Sequence, residues 1–274
     1  MFTTAFGNRL DRWILKKGFR ISLPLLALRL IEARRKLFQR DHSSAVKMKS
    51  SSQWDNFIPK DLGCKKFEAS TFPEVASIIQ SCQAIYEAHK EEAIDAGGFN
   101  KEYFFNLATE IDLKTHPILM DFALGKTMTE IVTGYLPNAR LHSVGVFYSS
   151  VNDTIGGSQL FHVDGDCLTQ MKCFINIWDV DEGAGPFTCV PRSATTSTLR
   201  NRGLIKSLTD EDVNRETGSL PYIRATGPAG SGLFCDTSRC LHQGSRSRER
   251  SRLILLIQFV SRPDALLVRN ANSI

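Results

Sequence analysis

The stretch that most limits what this chain can fold into runs from 158 to 191 and reads SQLFHVDGDCLTQMKCFINIWDVDEGAGPFTCVP. It opens with His162-Val163-Asp164. In extended backbone, residues i and i+2 point to the same face, so the imidazole of His162 and the carboxylate of Asp164 project together. An apolar strand over 172–178 follows, then the glycine turn Asp179-Val180-Asp181-Glu182-Gly183-Ala184-Gly185-Pro186-Phe187. Far downstream, Leu241-His242-Gln243-Gly244 stands just ahead of the apolar run Leu253 to Val260, which Arg252 opens. Two strands bearing nitrogen and oxygen donors, a connecting hairpin and a cation at the head of the last strand predict strands folded over one another.

The donor set has its own chemistry. Two imidazoles and one carboxylate on one face are the facial triad of non-haem Fe(II) oxygenases, and they leave coordination positions open. His162 and Asp164 supply two members, and His242 is the candidate third. A bare His-x-Asp occurs by chance on surface strands, so the weight rests on the combination.

In combination, the sequence resembles the phytanoyl-CoA dioxygenase family of Fe(II)- and 2-oxoglutarate-dependent oxygenases. The parts that carry the resemblance are Gln159 to Asp164, the DVDEGAGPF turn with Val190 to Ala194, the run Gly232 to Gly244, and the arginine ahead of Leu253 to Phe259. They span about residues 139–262. The resemblance implies an α+β chain with a double-stranded β-helix core of the jelly-roll type and flanking N-terminal helices. It implies Fe(II) held by His162, Asp164 and His242, with 2-oxoglutarate and O2 as co-substrates. Arg252 would anchor the far carboxylate, since a guanidinium binds carboxylate in two parallel hydrogen bonds. Arg250 has the same strand parity, and alternation alone does not separate the two. Phe174 falls where relatives place an aromatic beside the oxoglutarate; an ordinary core phenylalanine fits the position equally. Lys172, Gln159 and Ser245 complete the expected cofactor contacts, Ser245 because Gly244 stands where some relatives carry a small hydroxyl. The implied reaction is hydroxylation of an unactivated C–H bond of a small-molecule or lipid- or sugar-linked substrate, with release of succinate and CO2. A carboxylate at 164 argues against a halogenase, which needs a small residue there. The competing readings are a non-catalytic jelly roll that binds a ligand or partner, and a zinc-dependent hydrolase with the same three ligands.

The rest of the chain bounds this reading. The 274 residues, 42% of them apolar, suffice for one sizeable core. Seven cysteines with no C-x-x-C pair argue against a disulfide framework and a four-cysteine zinc site, and for reduced thiols in the cytoplasm. No apolar run reaches the roughly 18–20 residues of a membrane span. Residues 1–40 hold ten basic and two acidic residues, or +8, while the whole chain is +5, so the remainder carries −3. Leu26, Leu30, Ala33 and Leu37 fall on one stripe of a predicted helix. That extension, 1–45, either lies on anionic lipid or an acidic partner as a peripheral membrane contact, or packs on the body with its basic face solvated. A serine-rich linker over 41–52 follows it. The catalytic domain then spans 54–274: a helical buttress over 54–138 with helices at 72–89 and 118–135, a strand-rich core over 139–262, and a polar lid insertion over about 195–226 with a helix capped at Thr209. His89 and His116 read as surface or capping histidines, and His142 as a pocket or core residue. Arg246, Arg248 and Arg250 lack interleaved aromatics, so no nucleic-acid partner is expected.

Overall fold

The computed structural model describes residues 29–30, 32–33, 52–95, 103–137, 139–164, 169–202, 207–218 and 222–261, with side chains throughout except at 92–95 and 200–202. The 1–45 extension lies outside them, apart from four residues. Of the four, Leu30 and Ala33 are exposed, and the Glu32 carboxylate stands 3.8 Å from Arg239.

Two antiparallel sheets face each other, as the jelly-roll expectation requires. Nine strands form them: β1 (Cys64–Phe67), β2 (Phe104–Asn106), β3 (Arg140–Ser149), β4 (Gln170–Asn176), β5 (Thr188–Cys189), β6 (Ile223–Arg224), β7 (Gly232–Cys235), β8 (His242–Gln243) and β9 (Arg252–Val260). The larger sheet has the order β1-β7-β4-β9-β3-β2 and the smaller one β6-β5-β8. Backbone bridges from Phe161 to Leu208 and from His162 to His242 widen the smaller sheet on the β8 side. The longest pairing, β3 with β9, joins Leu253–Val260 to the 140–149 strand with one irregularity at His142.

Strand alternation decides where the core sits. On β4, Met171, Cys173 and Ile175 point outward, and on β9 so do Leu253, Leu255, Ile257 and Phe259. They meet helices α1 (Val75–Asp95), α3 (Ile118–Leu124) and α4 (Lys126–Tyr135) through Ile78, Leu119, Phe122 and Ile131. Burying each such side chain contributes about 1.5–3 kcal/mol relative to exposure. Phe174, Leu233, Cys235 and Ile254 point the other way, into the space between the sheets. Gly232 is needed there, because any Cβ would run into the Phe174 carbonyl oxygen.

Several sequence expectations change in detail. The predicted 118–135 helix is two helices, α3 and α4, because Gly125 adopts extended backbone between them and starts the second. The predicted buttress also supplies sheet: β1 and β2 form its two edges. Trp178 falls in the predicted 172–178 strand but lies past its end. It leaves the strand after Asn176 and packs among the helix-side residues, edge-on to Tyr86 at 4.9 Å. The lid insertion is built, not wholly polar loop: α5 (Arg192–Arg202), α6 (Asp210–Thr217) and β6 cover most of it. Thr195, Thr198, Leu199 and Val213 are buried, which ties it to the body. Its α6 starts at Thr209, whose hydroxyl accepts from Asp212 N while Asp212 accepts from Thr209 N. His116 is the C-cap of the short helix α2 (Glu110–Thr115), and His89 sits 3.0 Å from the Asp112 carboxylate.

Candidate metal and carboxylate site

His162 and His242 are set side by side by the main chain. His162 N donates to His242 O at 3.0 Å and His242 N donates to His162 O at 2.9 Å. Asp164, two residues on, turns to the same face, and its amide donates to Thr237 O at 2.9 Å. The result brings His162 Nε2 within 3.7 Å and His242 Nε2 within 3.6 Å of Asp164 Oδ1. Among the described residues this is the one group of three or more His, Cys, Asp or Glu whose ligand atoms all lie within 4.8 Å of one another.

The backbone also sets the tautomers. His162 Nδ1 lies 2.9 Å from Leu160 O, and His242 Nδ1 lies 2.9 Å from Cys240 O. A carbonyl only accepts, so each Nδ1 carries a hydrogen, and in the neutral ring each Nε2 turns a lone pair toward the aspartate. Asp164 uses its other oxygen differently. Oδ2 accepts from Lys172 Nζ at 2.7 Å and from Gln170 Nε2 at 3.1 Å. Burial pushes the Asp164 pKa up, but the Lys172 ammonium and its hydrogen bond, joined by His242 where that ring is protonated, outweigh it and hold the carboxyl well below its usual range. Three lone-pair donors therefore face one point, an arrangement that repels itself unless a cation lies among them. The donor set fits a borderline divalent ion such as Fe(II).

Arg252 is 3% exposed at the start of β9, opposite Ser149. Its Nη2 donates to Ser245 Oγ at 3.4 Å, and its Nε has no hydrogen-bond partner. Burial alone pulls its pKa down to about 10, so it stays a cation at neutral pH. Uncompensated charge is costly in an apolar interior, and a guanidinium kept there without an acidic side chain beside it among the described residues fits an incoming carboxylate. Arg250 differs: its guanidinium pairs with Asp181 on the surface. Arg246 and Arg248 pair with Asp210 and Asp153. No free basic patch arises from this arginine series.

The remaining predicted residues divide. Ser245 stands beside Arg252, in left-handed backbone at φ 61°, and its hydroxyl also accepts from Ser149. Phe174 stacks on Phe187 with ring centroids 3.9 Å apart, and Phe187 in turn lies 5.4 Å from the His242 ring. Lys172 lies at the Asp164 end, not beside Arg252. Gln159 is not available to a cofactor. Its amide nitrogen donates to Asn152 Oδ1 at 2.7 Å and Ser245 O at 2.9 Å, and its oxygen accepts from Gly156 N and Thr154 Oγ1, so it braces the 150–159 loop. Gln170 and Phe187 were missed in the sequence. Gln170 has the strand parity of Lys172, a signal that alternation offered. The DEGAGP turn is held by Asp181 Oδ1, which accepts from Ala184 N, and by Gly185 at φ 66°, where a Cβ would strike the Arg246–Ser247 backbone.

No family model matches the chain, and no curated protein matches it. Solved structures do. The crystal structure of EctD from S. alaskensis with 2-oxoglutarate and 5-hydroxyectoine superposes with a TM-score of 0.54 at 15% identity, covering 77% of this chain and 76% of that one. EctD with bound Fe gives 0.53 at 15% identity over 77% and 76% of the two chains. Its apoform gives 0.52 at 14% identity over 77% of each chain. At such identity the likeness is one of fold. This chain thus has the fold of EctD, a protein whose solved structures hold iron in one case and 2-oxoglutarate in another.

Proposed function

We propose that the chain is an Fe(II)- and 2-oxoglutarate-dependent oxygenase that hydroxylates an unactivated C–H bond of a small-molecule or lipid- or sugar-linked substrate, releasing succinate and CO2. The observation that carries the reading is the pairing of two features in one fold: His162, Asp164 and His242 converging on a point, and the buried Arg252 cation without an acidic partner among the described residues. The fold shared with EctD supports it.

In this reading His162 Nε2, His242 Nε2 and Asp164 Oδ1 hold the iron. Bound there, iron and 2-oxoglutarate would supply O2 activation and the oxidising power for C–H cleavage. The chain's own residues bind and orient. Leu160 O and Cys240 O hold the imidazoles in the ligand tautomer. Lys172 and Gln170 occupy Asp164 Oδ2 and leave Oδ1 to the metal. Arg252, with Ser245 beside it, takes the distal carboxylate of 2-oxoglutarate. Phe174 and Phe187 form an apolar wall that keeps water from the cofactor. Six of the seven cysteines are described, all of them free, as suits a cytoplasmic enzyme. No helix among the described residues is long and apolar enough to cross a membrane. A peripheral membrane contact would fall to the 1–45 extension, which lies outside those residues save 29–30 and 32–33.

Anaerobic addition of Fe(II) and 2-oxoglutarate tests the reading. The expected result is a visible metal-to-ligand charge-transfer band, followed on exposure to O2 by succinate formation. A protein that binds neither, or that hydrolyses a substrate with Zn(II) and no O2, is not this enzyme.

A further inference from the structure

Beside the three candidate ligands, the inward face of the larger sheet opens toward β3 and β2. Register lays this stretch out. Gln258 on β9 stands between Lys172 on β4 and Ser143 on β3, and Leu256 stands between Phe174 and Gly145. Phe147 follows two residues on, with Asn106 of β2 opposite it. Leu256, Gln258 and Phe147 are half-buried, and Ser143 and Asn106 are exposed, whereas Phe174 beside them is closed off. Gly145 shapes the stretch. A Cβ there would lie 2.7 Å from Phe147 Cε2 and 2.8 Å from Asn106 Oδ1. Glycine thus lets the ring and the amide lie down over the strand, next to Leu256. Phe104 holds the same ring from its other side, stacked at 4.7 Å with the planes 13° apart.

An amide relay runs from this stretch to a metal ligand. The Asp164 carboxylate only accepts, so Gln170 offers it Nε2, at 3.1 Å. The Gln170 oxygen then faces Gln258, whose Nε2 donates to it at 2.6 Å. Each amide fixes the orientation of the next, and Gln258 Oε1 is left turned away from the relay. Among the described residues nothing donates to that oxygen. A half-buried acceptor takes its donor from water or from a ligand. Lys172, the cation of this row, is spent on Asp164 at 2.7 Å. Asn106, Ser143, Phe147, Leu256 and Gln258 carry no charge.

We propose that this stretch is the substrate subsite and that it selects a neutral substrate, with a flat apolar part on Phe147 and Leu256 and a hydroxyl or N–H donated to Gln258 Oε1. The residue that reads the substrate then stands two hydrogen bonds from a metal ligand, through Gln170. An anion finds no free cation among these residues, and an ether sets oxygen against oxygen, which leaves a polar atom unpaired. That the ligand here is the oxygenase substrate rests on the iron and 2-oxoglutarate reading; the binding preference itself does not.

The test holds the full-length protein anaerobically with Fe(II) and saturating 2-oxoglutarate. It is titrated by calorimetry with 2-naphthol, with the methyl ether of 2-naphthol and with 2-naphthoate, and absorbance is read on the same samples. 2-Naphthol should bind about three- to tenfold more tightly than the ether, 2-naphthoate should bind more weakly than either, and 2-naphthol should shift the charge-transfer band. Gln258→Leu and Gln258→Met should each remove the preference for the naphthol and still bind the ether, which shows the subsite folded. Phe147→Ala should weaken naphthol and ether alike, by about tenfold. Equal affinity for naphthol and ether, tightest binding of 2-naphthoate, a preference unchanged in both Gln258 variants, no binding of 2-naphthol, or binding that leaves the band unmoved would each overturn the proposal. Failure to form any charge-transfer band would instead sink the iron reading, and the same titrations on metal-free protein would then judge the ligand preference alone.

Discussion

The two faces of the larger sheet share the same strands and differ in almost everything else. On β4, the outward residues are Met171, Cys173 and Ile175, and the inward ones are Gln170, Lys172, Phe174 and Asn176. On β9, Leu253, Leu255, Ile257 and Phe259 face the helices, while Arg252 and Gln258 share the opposite parity. The outward face is hydrocarbon against hydrocarbon. The inward face keeps a guanidinium, an ammonium and amides out of bulk water, at a cost in stability that the helix side must offset. Stability is concentrated on one side of the sheet and chemistry on the other, within side-chain neighbours one residue apart.

That contrast can be broken by substitution. Asp164→Ala or His242→Ala should reduce succinate formation to background while leaving the thermal transition close to that of the parent; retained turnover in either would remove that residue from the centre. Ile175→Ala, on the outward face, should lower unfolding free energy by about 2–5 kcal/mol in urea titrations, with substrate-free iron binding intact below the transition. Arg252→Met should act in two directions. It raises the 2-oxoglutarate needed for half-maximal turnover roughly a hundredfold, and it stabilises the fold by about 1–3 kcal/mol because a buried charge is gone. A variant that loses stability and keeps cofactor affinity would erase the distinction between the faces.

The smallest effect lies away from the sheet and serves as a control. Burial raises the Asp112 pKa, but hydrogen bonds from Thr109 and His89 more than offset it and leave the carboxyl below its usual value. A depressed folded pKa gives stability that is present above the unfolded pKa and lost as pH falls through the folded one. Asp112→Asn should therefore cost about 1 kcal/mol at neutral pH and progressively less below about pH 4. Equal destabilisation at acid and neutral pH would assign the effect to packing instead.

Much of the second half of the chain was legible in the residues. The alternation of 170–176 and 252–260, the His-x-Asp spacing, the glycine turn and the Thr209 cap are local, and local signals survive in a single sequence. What escaped was tertiary. β1 and β2 are 4 and 3 residues long and show no clean alternation, and their partners at Gly232–Cys235 and Phe147–Ser149 are distant in the chain. Strand parity placed Lys172 in the interior; that it would reach Asp164 depends on how 164 folds back over β4. Gln159 looked like a ligand contact because of its neighbours in sequence, and the loop it braces could not be seen there.

The mutual backbone bonds between His162 and His242 have one more implication. Because peptide groups, not a cation, set the distance between the two imidazoles, withdrawal of iron by a chelator should leave the strands clasped and the chain folded. The metal would then be an exchangeable passenger, taken up and released at constant architecture, and the apoprotein a state that can wait for it.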